Sequence, residues 1–251
     1  MKKFKLLIIG DEILSGKRKD CHLDNSIALL STRGFQLNQS LIIGDEPELI
    51  VSSIKHLSAG DSIVFCFGGI GATPDDYTRQ CAAQAFERPL VRHPEAKQLI
   101  EKQFSEAAYP KRILMADLPE NASIIPNPVN QVPGFSVGDS HFVPGFPQMA
   151  QPMIEWVLDT YYSSIQPTEP NIEKSVWIYE QPESELIDLM NTILEKFPEI
   201  KIASLPKADE RHSKIDFAIK GKAKAVDKAF SYLLAKLDDA SIQYQIGSVH
   251  P

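Results

Sequence analysis

Residues 67–78 read Phe-Gly-Gly-Ile-Gly-Ala-Thr-Pro-Asp-Asp-Tyr-Thr, three glycines within four positions followed at once by two aspartates. Glycines that end an apolar run let successive backbone N–H groups turn into one concavity. A helix starting beyond them adds its positive end, so the residue types suit a phosphate. The same glycines suit a tight turn with no ligand. Thr73, Pro74 and Asp76 also fit a capping box at a helix start, which accounts for Asp76 without chemistry but leaves Asp75 unexplained. Two carboxylates beside a phosphate repel it unless a hard divalent cation lies between them. Arg79 is the one basic residue near enough along the chain to compensate, so the loop points to a phosphate–metal site.

Two more acidic stretches raise the same alternatives. In "IIGDEPELI" Asp45 and Glu48 have capping-box spacing around Pro47, and in "IGDEILSGKRKD" Asp11, Glu12, Ser15 and Asp20 sit on a loop too long for a simple turn. Each stretch follows an apolar run. If those runs are neighbouring parallel strands, their carboxylates meet at the sheet edge where ligands bind in α/β folds.

The elements that must position these loops alternate. "FKLLIIG", "FQLNQSLIIG" and "DSIVFCFGG" read as strands, while "HLDNSIALLSTRG", "EPELIVSSIKHLSA", "DYTRQCAAQAFE", "HPEAKQLIEKQFSEAAY" and "PQMAQPMIEWVLDTYY" read as helices. Such alternation predicts a three-layer α/β unit with a mostly parallel sheet. Residues 110–152 are rich in proline, with short apolar pieces that read as strands and turns wrapping one edge. "SSIQPTEPNIE", residues 163–173, lacks apolar periodicity and is the linker candidate, dividing the chain into domains 1–165 and 166–251. Beyond it, strand, helix, strand, strand and helix signals predict a small α+β sandwich with helices on one face.

Composition narrows the function classes. The chain has 251 residues, 43% of them hydrophobic, and a formal net charge of −7. No stretch approaches the ~20 apolar residues of a membrane helix, and the amino-terminal apolar run is too short for a signal peptide. A cytoplasmic protein without membrane contact is expected. Cys21, Cys66 and Cys81 are scattered without CxxC spacing, which argues against a disulfide framework and a thiolate zinc site. Neither half carries a basic excess, so no nucleic-acid partner is expected. The histidines, including His22, His93 and His212, show no metal-ligand spacing; His22 has the best claim to chemistry because its loop is implicated. Ser15 has no nucleophile-elbow context, and Trp156 and Trp177 read as core residues.

With these loops in hand, the chain resembles the MoaB/MogA-type molybdopterin-binding domain, in the form found at the amino end of CinA-like (competence/damage-inducible) proteins and in FAD synthases. The resemblance rests on "IGDEILSG", "GDEPELI", "GGIGATPDDYT" and "VPGFP", in that order between residues 8 and 147. The third matches the family's Gly-Gly-x-Gly-Pro-Thr-x-Asp-Asp-x-Thr loop except that Ala72 replaces proline. The resemblance implies a MoaB/MogA-like fold in which Gly68, Gly69, Ile70, Gly71, Ala72 and Thr73 line a pterin or nucleotide phosphate pocket. It gives Asp45 and Asp76 the place of the two reacting carboxylates, and matches Glu12, Ser15, Gly16 and Asp20 to the first-loop pattern and Pro144-Gly145 to a later loop. Where CinA-like members often carry a glutamate after that Pro-Gly, this chain reads Phe-Pro-Gln-Met-Ala. The segment after residue 173 resembles the KH-like or ferredoxin-like domain of CinA-like proteins, but lacks the GxxG loop that clamps RNA. The nicotinamide-nucleotide amidase domain of longer CinA proteins is not expected here.

Three functional readings follow. The first is a metal-dependent pyrophosphatase acting on a dinucleotide diphosphate such as ADP-ribose or FAD, with Asp75 and Asp76 holding magnesium, manganese or cobalt. The second is a binding or transferase role toward molybdopterin or a nucleotide, of the molybdenum cofactor biosynthesis type, with a pterin or adenine nucleotide as ligand, and the third is a non-catalytic oligomeric scaffold. The doubled aspartate favours the first. A homo-oligomer, dimer or trimer, is also expected.

Overall fold

The computed structural model describes residues 2–169, 171–208 and 213–250. The chain divides into two compact units, one made of residues 1–31 and 36–166, the other of residues 32–35 and 167–251.

The first unit contains β1 (Lys3–Ile9), α1 (Asp11–Leu14), α2 (His22–Ser31), β2 (Leu37–Ile43), α3 (Pro47–Ser58), β3 (Ser62–Phe67), α4 (Thr78–Ala85), β4 (Leu90–Arg92), α5 (Pro94–Phe104), β5 (Asp117–Pro119), β6 (Ser123–Ile125), β7 (Gly134–Val137), β8 (Ser140–Val143) and α6 (Pro147–Tyr161). Its main sheet has the order β2-β1-β3-β8-β7-β6. The first four strands are parallel, and β7 and β6 run antiparallel at one edge. All six residues of β3 are buried, as a central strand covered on both faces requires. Leu7, Ile9, Val64 and Cys66 pack with Ile50, Ile54 and Leu57 of α3 and with Cys81 and Ala82 of α4. The alternate residues face the other layer, where Phe67 stacks on His22 of α2 and Phe4 meets the Tyr162 ring edge-on. Polar groups on that side are paired: His141 bonds Ser136 Oγ through Nδ1 (2.8 Å) and Tyr162 Oη through Nε2 (2.6 Å), and Tyr162 donates to Asp139 (2.8 Å). Among the described residues no helix is long and apolar enough to cross a membrane.

Neither expected capping box starts a helix. α4 begins at Thr78, five residues beyond Thr73, and the N-cap of α3 is Glu46, which makes no side-chain cap. The short antiparallel pair β4–β5 was not legible in three-residue pieces.

The second unit contains β9 (Asn171–Tyr179), α7 (Ile187–Lys196), β10 (Lys201–Ala208), β11 (Ser213–Lys222), α8 (Ala223–Asp239) and β12 (Tyr244–His250). Its antiparallel sheet has the order β10-β11-β9-β12, the ferredoxin-like arrangement, and β12 adds a final strand that the sequence reading lacked. Val176, Ile178, Ile215, Phe217 and Ile219 form the core with Ile193 of α7 and Val226, Phe230 and Leu233 of α8. Both helices therefore cover one face. The carboxyl end of the expected linker is ordered as strand, since Asn171 and Glu173 pair with Lys222 and Lys220. Pro170 of that stretch and His212 lie outside the described residues.

Candidate functional site

β1 pairs with both β2 and β3 in parallel, and β3 with β8. Four strand ends thus deliver their loops to one edge, and a cavity of about 670 Å³ opens among those loops. Backbone bonds fix the loops to one another: Gly10 N donates to Ile43 O, and Gly68 N to Val143 O, both at 3.0 Å.

The glycine loop is built as its composition demands. Gly68 and Gly69 adopt φ of +99° and +67°, where L side chains are strained. A Cβ on Gly68 would strike the Ile9 carbonyl, and one on Gly69 would strike Thr78 Oγ1. Gly71 is different, since its φ is not positive; a side chain there would come within 2.5 Å of Asp76 Oδ2. Among the described residues, the N–H groups of Gly69, Ile70, Gly71 and Ala72 have no hydrogen-bond partner, and all four residues line the cavity.

The carboxylates hold the rim. Asp45 Oδ2 accepts the Asp11 N–H (2.9 Å), and Asp11 Oδ1 accepts the Asp45 N–H (3.3 Å), which ties the loops after β1 and β2 together. Partial burial raises the Asp45 carboxyl above the ordinary range. The charges of Asp11, Glu12 and Asp75 push the same way, against the lowering effect of the Asp11 N–H. Asp76 Oδ2 accepts both the Thr73 N–H (2.9 Å) and the Thr73 hydroxyl, while Asp76 N donates to Thr73 O (3.0 Å). The reciprocal bonding of a capping box is present, closing a turn instead of a helix. Asp75 is in solvent, and its carboxyl is lowered, chiefly by the nearby Thr73 hydroxyl.

Arg79 does not line the cavity, although the charge of Asp76 acts on it. It is 4% exposed, and its guanidinium donates to the carbonyls of Gly71 (2.8 Å), Asp117 (3.1 Å) and Leu114, so it clamps the loop from beneath. Lys17 and Arg18 face the cavity instead, with Arg18 3.5 Å from Glu12 and 5.8 Å from the centre of the Phe146 ring. The sequence reading named neither of them. It also missed the apolar wall of Phe104, Met115, Val132 and Met149. Asn130 lies on this wall, and among the described residues its side-chain N–H groups meet only the Met149 sulfur, at 3.6 Å.

Of the residues singled out from the sequence, Glu12, Asp45, Gly68 to Thr73, Asp75, Asp76, Pro144 and Gly145 line the cavity; Ser15, Gly16 and Asp20 do not. Ser15 is the C-cap of α1, and Gly16 makes a turn at φ +71°. Asp20 caps α2 through the N–H groups of His22 (3.0 Å) and Leu23 (3.1 Å). His22 is buried, its Nε2 3.3 Å from the Gly145 carbonyl, and burial lowers its pKa, so it positions the Pro144–Gly145 loop as a neutral ring. Among the described residues no group of three or more His, Cys, Asp or Glu side chains is placed to hold a metal ion by itself. Asp75 and Asp76 are the cavity carboxylates that could contribute to holding a hard cation.

Residues 5–163 match the model of the family described as probable molybdopterin binding domain. A CinA-like protein of Syntrophotalea carbinolica is 31% identical over 182 residues, 69% of this chain and 44% of that protein, so the chain spans less than half of its length. A protein of Archaeoglobus fulgidus is 26% identical over 232 residues, 92% of this chain and 98% of its own length. Among solved structures, the protein CinA of Thermoplasma acidophilum superposes with a TM-score of 0.57 at 26% identity, covering 63% of this chain and 97% of that one.

Proposed function

Because this chain belongs to the molybdopterin-binding domain family, with CinA-like relatives, we propose that its cavity binds a dinucleotide or pterin diphosphate and hydrolyses it with a divalent cation. The observation that carries the reading is the row of four N–H groups, Gly69 to Ala72, that have no hydrogen-bond partner among the described residues and belong to residues lining a cavity rimmed by carboxylates. Backbone amides in that arrangement hold phosphate oxygens. Lys17 and Arg18 add mobile positive charge, and the wall of Phe104, Met115, Val132 and Met149 offers apolar surface to a planar ring. Asp75 and Asp76 would hold the divalent cation, which would supply charge neutralisation and polarise the diphosphate. Asp45, whose carboxyl holds a proton more tightly than usual, takes the proton of the water that attacks phosphorus. One phosphoanhydride bond breaks, and two monophosphates leave.

A second reading, binding without turnover, is favoured by the engagement of Asp76 Oδ2 with Thr73 and by the lack of a three-ligand metal group among the described residues. Thermal shift of the full chain with ADP-ribose or FAD, with and without magnesium, separates the two. A metal-dependent rise in melting temperature accompanied by release of AMP supports hydrolysis. A metal-independent rise with no AMP supports binding alone, and no rise with either ligand refutes both.

A further inference from the structure

The second unit carries a surface that the cavity does not use. α7 and α8 cover one face of its sheet, and among the described residues no helix or strand of this unit lies over the other. Strand alternation settles what stands there. Val176 and Ile178 point into the core, so Trp177 and Tyr179 stand on the bare face of the inner strand β9, both half-buried. On a strand, such i and i+2 neighbours lie about 7 Å apart. Lys207 and Lys214 are directly paired across β10 and β11, and their Nζ atoms lie 4.8 and 5.0 Å from the centre of the Trp177 ring. Among the described residues neither lysine has a carboxylate partner. Beside Trp177, a shallow depression is formed with Gln245 and Ile246, and the Tyr179 hydroxyl donates to Gln245 Oε1 (3.0 Å).

The charge of this face opposes that of the chain. Lys201, Lys207, Lys214 and Lys220 stand on it against Glu173 and Asp216, of which Glu173 is already paired with Lys220 at 3.6 Å. A protein of net charge −7 thus keeps a locally basic, aromatic surface on a sheet. We propose that this face binds single-stranded nucleic acid, with bases stacked on Trp177 and Tyr179 and phosphates held by Lys207 and Lys214. Aromatic rings give the surface affinity for base faces without sequence preference, and the flanking lysines supply the phosphate attraction. Four-stranded sheets with exposed aromatic residues on their inner strands bind RNA in this way. The GxxG loop is a different device, so its lack does not bear on a sheet surface. An acidic peptide satisfies the lysines but makes no use of the two rings.

The test uses the full chain and a fluorescent oligonucleotide of about 12 nucleotides, oligo-dT and oligo-U in parallel, at about 50 mM salt. Binding is expected in the micromolar range, and Trp177→Ala is expected to weaken it roughly 10-fold or more. Trp177→Phe retains a stacking ring and is expected to keep most of the affinity, which separates stacking from a folding defect. The Lys207→Gln, Lys214→Gln pair is expected to reduce the slope of log K against log salt by about 1.4, the value for two single-strand phosphate contacts. No binding up to about 100 μM overturns the proposal. So does an affinity indifferent to Trp177→Ala and the lysine pair, or equal binding of duplex or of polyglutamate.

Discussion

The two sheets of this molecule place their exposed chemistry in opposite ways. The parallel sheet is covered on both faces, so the groups available to a ligand gather at the carboxyl ends of β1, β2, β3 and β8, where loops meet. The antiparallel sheet is covered on one face, so its available groups lie on the strands themselves, at alternate positions of β9, β10 and β11. The first site is a concavity dominated by carboxylates and backbone amides, and the second a flat array of rings and lysines. Layering decides where a sheet can meet a ligand, and that position decides whether loop or strand residues carry the recognition.

The largest effect that tests this contrast concerns Arg79. Its buried guanidinium serves three carbonyls beneath the glycine loop, so Arg79→Met leaves them unpaired and is expected to cost about 4 kcal/mol. The loss should be confined to the first unit. In a Trp177→Phe background the remaining tryptophan, Trp156 of α6, reports urea unfolding of that unit. A loss below about 1 kcal/mol means that the clamp is dispensable.

Acidification comes next. Burial pushes the pKa of His141 down to about 3, whereas an unfolded histidine titrates near 6.5. The unfolded chain therefore gains a proton below pH 6.5 that the folded chain refuses, and stability falls as pH drops from there toward 3. Between pH 7 and 4 the first unit is expected to lose about 3 kcal/mol. Asp139, whose carboxyl is lowered, adds its own loss only near and below the ordinary aspartate pKa, and His141→Gln should flatten the upper part of the profile. An unchanged profile in that variant removes His141 as its source.

A smaller effect is expected at the loop itself. Gly69→Val forces a β-branched residue into φ +67° against Thr78, at a cost of about 2 kcal/mol together with loss of the ligand-induced thermal shift. The smallest is at Asp45. Asp45→Asn keeps an oxygen for the Asp11 N–H and removes repulsion from Asp11, Glu12 and Asp75, so stability should change by less than about 0.5 kcal/mol while turnover disappears. Full turnover in this variant excludes Asp45 as the proton acceptor.

The parts of this architecture encoded locally were legible in the sequence. The runs that became β1, β2 and β3 are continuous apolar segments, and the glycines and aspartates of residues 68–76 are adjacent along the chain. The apolar wall was not legible, because Phe104, Met115, Val132 and Met149 come from four separated segments joined only by the fold. The carbonyl clamp of Arg79 and the helix capping by Asp20 were not legible for a related reason: a charged residue near a site has the same appearance in sequence whether it meets a ligand, a carbonyl or a helix end. Trp177 was placed in the core by its residue type, although the alternation of Val176 and Ile178 around it assigns it to the opposite face. The total charge of the second half concealed the gathering of Lys201, Lys207, Lys214 and Lys220 on one face of its sheet.

The central claim, hydrolysis of a diphosphate in the cavity rimmed by Asp45, Asp75 and Asp76, is tested most directly by phosphorus-31 NMR of ADP-ribose incubated with the full chain and magnesium. The account predicts that the coupled diphosphate signals decay into two monophosphate resonances, and that Asp45→Asn, equally stable, leaves them unchanged. Diphosphate signals that persist with the wild-type chain, although ADP-ribose raises its melting temperature, contradict the hydrolase reading.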